Sequence, residues 1–199
     1  ISIQVNFNEA VTVTGTPQLT LETGATDRVL DYTSGSGTST LTFNYTVQVG
    51  DISADLDYLS TTALALNGGT IKDAGGNSAI LTLASPGAAG SLGANNAIVI
   101  DGVRPTVSSI NRVTDESTNA TTVDYTLTFS ESVTGVDVND FTLSSTGIIG
   151  GTVAAISGSG SIYTVSVNSI TGNGTLRLNL KGSGTGIIDA AGNAITSGY

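Results

Sequence analysis

Val5-Asn6-Phe7-Asn8-Glu9-Ala10-Val11 returns as Leu127-Thr128-Phe129-Ser130-Glu131-Ser132-Val133, 122 residues further on (127 less 5). Two more markers repeat in the same order. Ser34-Gly35-Ser36-Gly37 returns as Ser157-Gly158-Ser159-Gly160, displaced by 123. Asp73-Ala74-Gly75-Gly76-Asn77 returns as Asp189-Ala190-Ala191-Gly192-Asn193, displaced by 116. Displacements that drift only by loop-sized amounts define two copies of one module of roughly 100 to 120 residues, an ordinary domain size. A tandem module points to a spacer or array rather than to a single catalytic centre.

Within and around these markers the hydrophobic period is two. Ile1-Ser2-Ile3-Gln4-Val5-Asn6-Phe7 alternates without a break, as do Leu41–Val47, Tyr125–Phe129, Tyr163–Val167 and Leu176–Leu180. Each reads as a strand with one buried and one wet face. Gly, Asn, Asp and Ser clusters such as Asn67-Gly68-Gly69 separate them at short intervals. The expected fold is therefore all-β: two tandem immunoglobulin-like β-sandwich domains, residues 1–101 and 102–199. In that topology the first copy supplies strands B (1–8), C (17–22), D (28–32), E (40–48), F (63–70) and a strand G within 79–100. The second supplies A (106–113), B (123–130), C (140–144), D (151–157), E (162–169) and F (175–181). The first copy is thus expected to lack its first strand and the second most of its last, as in an internal fragment cut out of phase with the repeat. An open sheet edge follows, which reads either as no more than the boundary of the fragment or, more sharply, as a site of intermolecular strand pairing.

Composition narrows the chemistry. The 199 residues contain no Cys, so disulfides and thiolate metal sites are excluded. They contain no His, which removes the usual general base near neutral pH and the commonest transition-metal ligand. Sixteen acids against six bases give a formal charge of −10, a surface that repels nucleic acid and anionic membranes but favours hard divalent cations bound through oxygen. No apolar run approaches the ~20 residues that span a bilayer, so membrane insertion is not expected. Acids spread over loop tips, with no Trp and few aromatic residues to stack a sugar, do not make a glycosidase cleft, and no nucleophile elbow or phosphate-cradling loop is present. The chain does not read as an enzyme. The alternative is a ligand-binding module for a sugar or protein, which would need an exposed aromatic cluster. Tyr32, Tyr45, Tyr125 and Tyr163 instead occupy strand positions.

A strand ending Phe-x-Glu-x-Val, an Asp-Ala-x-Gly-Asn turn and a closing Ile98-Val99-Ile100-Asp101 followed by Pro105 resemble the Ig-like tandem repeats of giant bacterial surface adhesins. The resemblance covers both copies. It implies a long extracellular array at the bacterial cell surface whose neighbouring repeats are stiffened by calcium near their junctions. Gly102-Val103-Arg104 departs from the small polar linker usual in that family, and places a cation beside Asp101.

Ig topology also gathers loops into poles. At the top of the second copy it expects Asp101 from the linker, Glu131 from the end of strand B, and Asp189 with Asn193 from the F–G loop. Glu9, Asp73 and Asn77 form the equivalent pole of the first copy. Asp51-Ile52-Ser53-Ala54-Asp55-Leu56-Asp57 reads either as a solvated face or, through Asp55 and Asp57, as further metal ligands from the bottom of the first copy. Converging carboxylates repel one another, and a calcium ion with six to eight oxygen ligands removes that penalty. Without a metal, Asp-Ala-x-Gly-Asn still makes a good turn and Asp101 still punctuates the chain before Pro105.

Overall fold

Alternation of β-branched or aromatic residues with Thr, Ser and Asn leaves the backbone few options other than extended strands. The computed structural model, which describes residues 1–113 and 118–199 with the side chains of 148 and 149 excepted, is all-β, and its antiparallel sheets curl. The chain divides into two compact units, Ile1–Val103 and Arg104–Tyr199. Among the described residues no helix is long and apolar enough to cross a membrane.

The first unit runs β1 (Ser2–Thr14), β2 (Gln18–Leu21), β3 (Arg28–Ser34), β4 (Thr38–Asn44), β5 (Ile52–Ser53), β6 (Leu64–Ala65), β7 (Thr70–Lys72), a short helix α1 (Leu92–Asn95) and β8 (Ile100–Asp101). Six strands form one sheet in the order β6-β2-β3-β4-β1-β7, and β5 pairs with β8. The two edge strands of the sheet, β6 and β7, are neighbours in sequence, so the sheet wraps around its own core. Alternate residues fill that core: Leu41, Phe43 and Tyr45 from β4 and its exit, and Leu19 and Leu21 from β2, are all at most 1% exposed. The intervening Thr40, Thr42 and Asn44 point away from it, as the pleat requires.

Two expectations shift. The single strand expected at 63–70 is broken in two, because Asn67 and Gly68 both take positive φ and turn the chain between β6 and β7. The strand expected within 79–100 is largely irregular: Pro86, Gly87 and Gly90 interrupt it, and the Ser91 hydroxyl caps α1 by accepting from Ala94 N–H, so only Ile100–Asp101 is extended in a ladder.

The second unit runs β9 (Val107–Arg112), β10 (Val123–Val133), a 3₁₀ turn at Val138–Asp140 and β11 (Phe141–Leu180). The sheet order is β11-β10-β9. The four strands expected between 140 and 181 form this one continuous extended run. Its turns fall at glycines with positive φ, among them Gly147, Gly158 and Gly172. Leu127, Val165, Val167 and Ile187 are fully buried at its centre.

The two units share a ladder residue for residue. In the first, Ser2 faces Asn44, Ile3 Phe43, Gln4 Thr42, Val5 Leu41 and Asn6 Thr40; after an irregular stretch Val11 faces Thr38. In the second, Asp124 faces Ser166, Tyr125 Val165, Thr126 Thr164, Leu127 Tyr163 and Thr128 Ile162, and Val133 faces Gly160 after the same stretch. Every pair is displaced by 122 at both partners. The repeated sequence is therefore a repeated register, with the bulge that carries Glu9 in one unit and Glu131 in the other.

Candidate metal centre

Asp73 and Asp189 open the same turn. Asp73 accepts from the main-chain N–H of Asn77 at 2.8 Å and from its side-chain amide at 2.7 Å. Asp189 accepts from the corresponding groups of Asn193, both at 2.8 Å. In each turn the aspartate N–H also donates to the asparagine carbonyl, and a glycine at positive φ, Gly76 or Gly192, closes the bend. The motif thus builds itself from local hydrogen bonds, with Asx geometry supplied by the carboxylate. What differs is depth. Asp189 is 4% exposed, whereas Asp73 is only half-buried.

Burial pushes the Asp189 carboxyl up, but the Asn193 side chain and the turn's main-chain N–H groups outweigh it and hold the group below the usual carboxylate range. The Asn77 side chain, then the turn's N–H groups, do the same for Asp73. Both carboxylates stay charged at neutral pH. The Asn193 N–H and side-chain amide bind one oxygen of Asp189 each, and the main-chain N–H groups of Ala191 and Gly192 add to the same carboxylate. The bulge in β10 brings a second carboxylate to this one: oxygens of Glu131 and Asp189 lie within 4.8 Å of each other. Hard oxygen donors at such spacing, with neither His nor Cys in the chain, fit calcium or magnesium rather than zinc. Glu9, at the matching bulge of β1, is exposed.

Asp101 sits in the first unit, where β8 pairs Asp101 with Ile52. Its carboxylate accepts from Val103 N–H at 3.1 Å. Gly102 donates to the Asp51 carbonyl and accepts from Gly50, so the chain leaving the unit is bound to the loop after β4. A Cβ at Gly102 would come 2.2 Å from the Gln48 carbonyl, which leaves room only for glycine.

Within the Asp51–Asp57 stretch Asp55 is exposed, as on a solvated face, but Asp51 and Asp57 are buried. Asp51 is 1% exposed and forms a salt bridge with Arg28, Nη2 to Oδ1 at 2.6 Å, joined by Nε at 2.7 Å. Its other oxygen accepts from the Tyr45 hydroxyl at 2.7 Å and Gln48 N–H at 2.9 Å. Burial pushes the Asp51 carboxyl up, but the guanidinium, amide and phenol outweigh it and keep the carboxyl below its ordinary range. Asp57, 8% exposed, accepts from the N–H groups of Tyr58 and Gly87 at 2.8 and 3.0 Å, with Ser91 and Gly93 adding to the same carboxylate. Burial again opposes these donors, which prevail and keep its carboxyl low. Asp55 accepts from Ile98 N–H. Asp55 and Asp57 do converge, both lying over Gly93, where an added Cβ would meet Asp57 Oδ2 at 3.1 Å and Asp55 Oδ2 at 3.4 Å. The groups around Asp57 are hydrogen-bond donors, a shell that suits a bare carboxylate and anchors the loop carrying α1.

Sequence reasoning finds Glu131, Asp189 and Asn193 because they lie in repeated motifs. It misses the Arg28–Asp51–Tyr45 network, whose members are 23 and 6 positions apart, Arg28 on β3 and Tyr45 and Asp51 in the connection between β4 and β5, with no local pattern to join them. No family model, curated protein or solved structure matches this chain at a significant level.

Proposed function

We propose that the chain is a structural spacer: two tandem Ig-like β-sandwich repeats from a large extracellular, adhesin-like protein of a bacterial surface, stiffened by calcium where one repeat follows the next. The single observation that carries this reading is the shared ladder, in which each β1–β4 pair recurs 122 residues later between β10 and β11. Duplication of a whole scaffold, bulge and turn included, is what an array of modules requires and what a lone active site does not. The work of such a chain is to project and to hold a length, with its neighbouring repeats as its partners.

Calcium is the cation that the second unit's donors suit best. Glu131 and Asp189 supply two charged oxygens, and the turn that holds Asp189 is preformed by Asn193. Asp101 lies three positions ahead of Arg104, where the second unit begins, and the expected topology brings that linker to the same pole. The ion would neutralise carboxylates that otherwise repel one another, and would lock the linker.

Calcium titration followed by thermal melting and small-angle scattering tests this reading. Calcium is expected to raise the melting temperature of the second unit and to narrow the distribution of end-to-end distances. Glu131→Gln with Asp189→Asn should abolish both responses. If chelation by EDTA changes neither quantity, the calcium clamp is wrong, although the spacer reading then survives on its other grounds.

A further inference from the structure

The two units differ in charge at one matched place. Phe141-Thr142-Leu143 repeats Leu19-Thr20-Leu21 at the displacement of 122, so Asp140 stands where the first unit has Gln18. Lys181 lies 116 positions after Ala65, the displacement of the two Asp-Ala-x-Gly-Asn turns. The structure joins both sets: Gln18 faces Ala65 where β2 meets β6, and Lys181 N–H donates to the Asp140 carbonyl at 2.8 Å. A neutral pair in one copy is an acid and a base in the other.

Asp140 closes the 3₁₀ turn as the last residue of a capping box. Its Oδ2 accepts from Asp137 N–H at 2.8 Å, and Asp137 Oδ1 accepts from Asn139 N–H at 2.6 Å. Gln18 is partly exposed and donates its side-chain amide to Asp31, whereas Asp140 is 3% exposed. The other oxygen of Asp140 receives no donor among the described residues. Lys181 does not fill that gap, because its Nζ donates to the Asn139 carbonyl instead. Turn and lysine together hold the two ends of β11, whose first and last residues are Phe141 and Leu180.

A buried carboxyl with a single donor is costly as an anion and far less so as a neutral acid. Burial pushes the Asp140 carboxyl up, and the charge of Asp137 adds to this. Asp137 N–H and the Lys181 ammonium act the other way without prevailing. Asp137 and Lys181 are the charged groups that act on it among the described residues. Once ionised, the carboxylate gains by reaching water, which draws the turn away from the end of β11. A proton taken up from solvent removes that pull.

We propose that the Asp137–Asp140–Lys181 clasp is a pH-responsive latch of the second unit alone, closed when Asp140 carries a proton and loosened when it is a carboxylate. The fold holds this proton more tightly than the unfolded chain does. The clasp therefore gains strength as the pH falls through the folded value, and the gain is complete below the ordinary carboxylate value of about 4. The inference is independent of the spacer and calcium readings, since it uses neither the linker nor any candidate metal ligand.

Carboxyl-carbon NMR of the intact chain, together with amide exchange between about pH 4 and 7, tests it. The Asp140 carboxyl is expected to titrate above the ordinary carboxylate range. Protection at Lys181 N–H, corrected for the intrinsic exchange rate, should fall at least about threefold as Asp140 ionises. Protection at Ala65, the matched position of the first unit, should stay level. Two variants at exposed side chains give the sharper arm. Asp137→Asn keeps an oxygen for Asn139 N–H but removes the repulsion, and should move the Asp140 titration down. Lys181→Met removes the attraction and should move it up. Asp140→Asn, neutral at every pH, should flatten the response at Lys181, and the other two variants stand whether or not this one folds. Titration of Asp140 in the ordinary range overturns the proposal, as does a shift in the same direction, or none, in the two exposed variants. So does protection at Lys181 that ignores pH, or an equal change at Ala65.

Discussion

β1 and β10 are the same strand placed in two settings. Their sequence pattern, their register and their bulge agree, yet β10 is covered on both edges and the first half of β1 on one. The consequence reaches side chains that the ladder itself does not involve. Leu127 and Phe129 are 0% and 3% exposed, whereas their counterparts Val5 and Phe7 are only partly buried. A third strand therefore does more than add hydrogen bonds, because it closes the flank of the core. The two Asp-Ala-x-Gly-Asn turns make the same point, with matching internal bonds and different burial. Local sequence builds the part, and the neighbouring elements decide how far it sinks.

The largest expected effect breaks this comparison at the phenylalanines. Phe129→Ala should destabilise the second unit by about 3–5 kcal/mol, because it empties a closed site and removes an edge-to-face contact with Tyr163 at 5.9 Å between ring centres. Phe7→Ala should cost about half as much, since its site is already open on the β9 side. Urea unfolding of each variant, read by a probe in each unit, checks the ratio; equal losses would mean that the missing flank is irrelevant to the core.

Next comes a feature on which the first unit depends. Asp51→Ala strands the Tyr45 hydroxyl and the Gln48 N–H, and should lower the stability of that unit by about 3 kcal/mol, the low end for a broken buried pair because the Arg28 side chain is 29% exposed. Calorimetry should show the transition of the first unit falling while that of the second stays in place.

A smaller effect should be common to both units. Gly35 and Gly158 share one turn at φ +115° and +105°, and an added Cβ would lie 2.0 Å from the Thr40 carbonyl in the first and 2.5 Å from the Ile162 carbonyl in the second. Alanine at either should cost about 1–3 kcal/mol, with Gly35 the more sensitive. Melts of the two single variants test whether the turn is equivalent, and a neutral result at either would separate the copies.

Acid should separate the units by the smallest margin. Asp51, Asp57 and Asp73 in the first are held low, so each contributes stability above pH about 4 that is lost as the pH falls through its depressed value. The second has Asp189 held low but Asp140 raised, by burial first and by neighbouring Asp137. Asp140 acts with the opposite sign: its charged form is disfavoured in the fold, so protonation on the way down to pH 4 adds stability. Between pH 5 and 2 the first unit should therefore lose stability faster, as amide exchange resolved by residue would report.

The extent to which the sequence was legible follows from interaction range. Leu41-Thr42-Phe43-Asn44-Tyr45 declares a strand and its buried face because pleating fixes the period at two. Asp189 and Asn193 declare their turn because all its bonds lie within five residues. Glu131 could be singled out only because it repeats Glu9. Asp51 and Asp57, in contrast, look solvated in a polar stretch, and only their packing against Arg28 and the α1 loop reveals them as buried anchors. The segment at 79–100 has strand-like composition, but Pro86 and the Ser91 cap redirect it.

The sequence by itself determined that the chain is all-β, that its module is duplicated and where its Asx turns lie, since each of these is written in periods or bonds of a few residues. The tertiary structure alone decided which acids are buried, which carboxylates approach one another and which edge of β1 is left bare. Those depend on neighbours tens of residues away, and on what burial does to a charge or to an unpaired main-chain group.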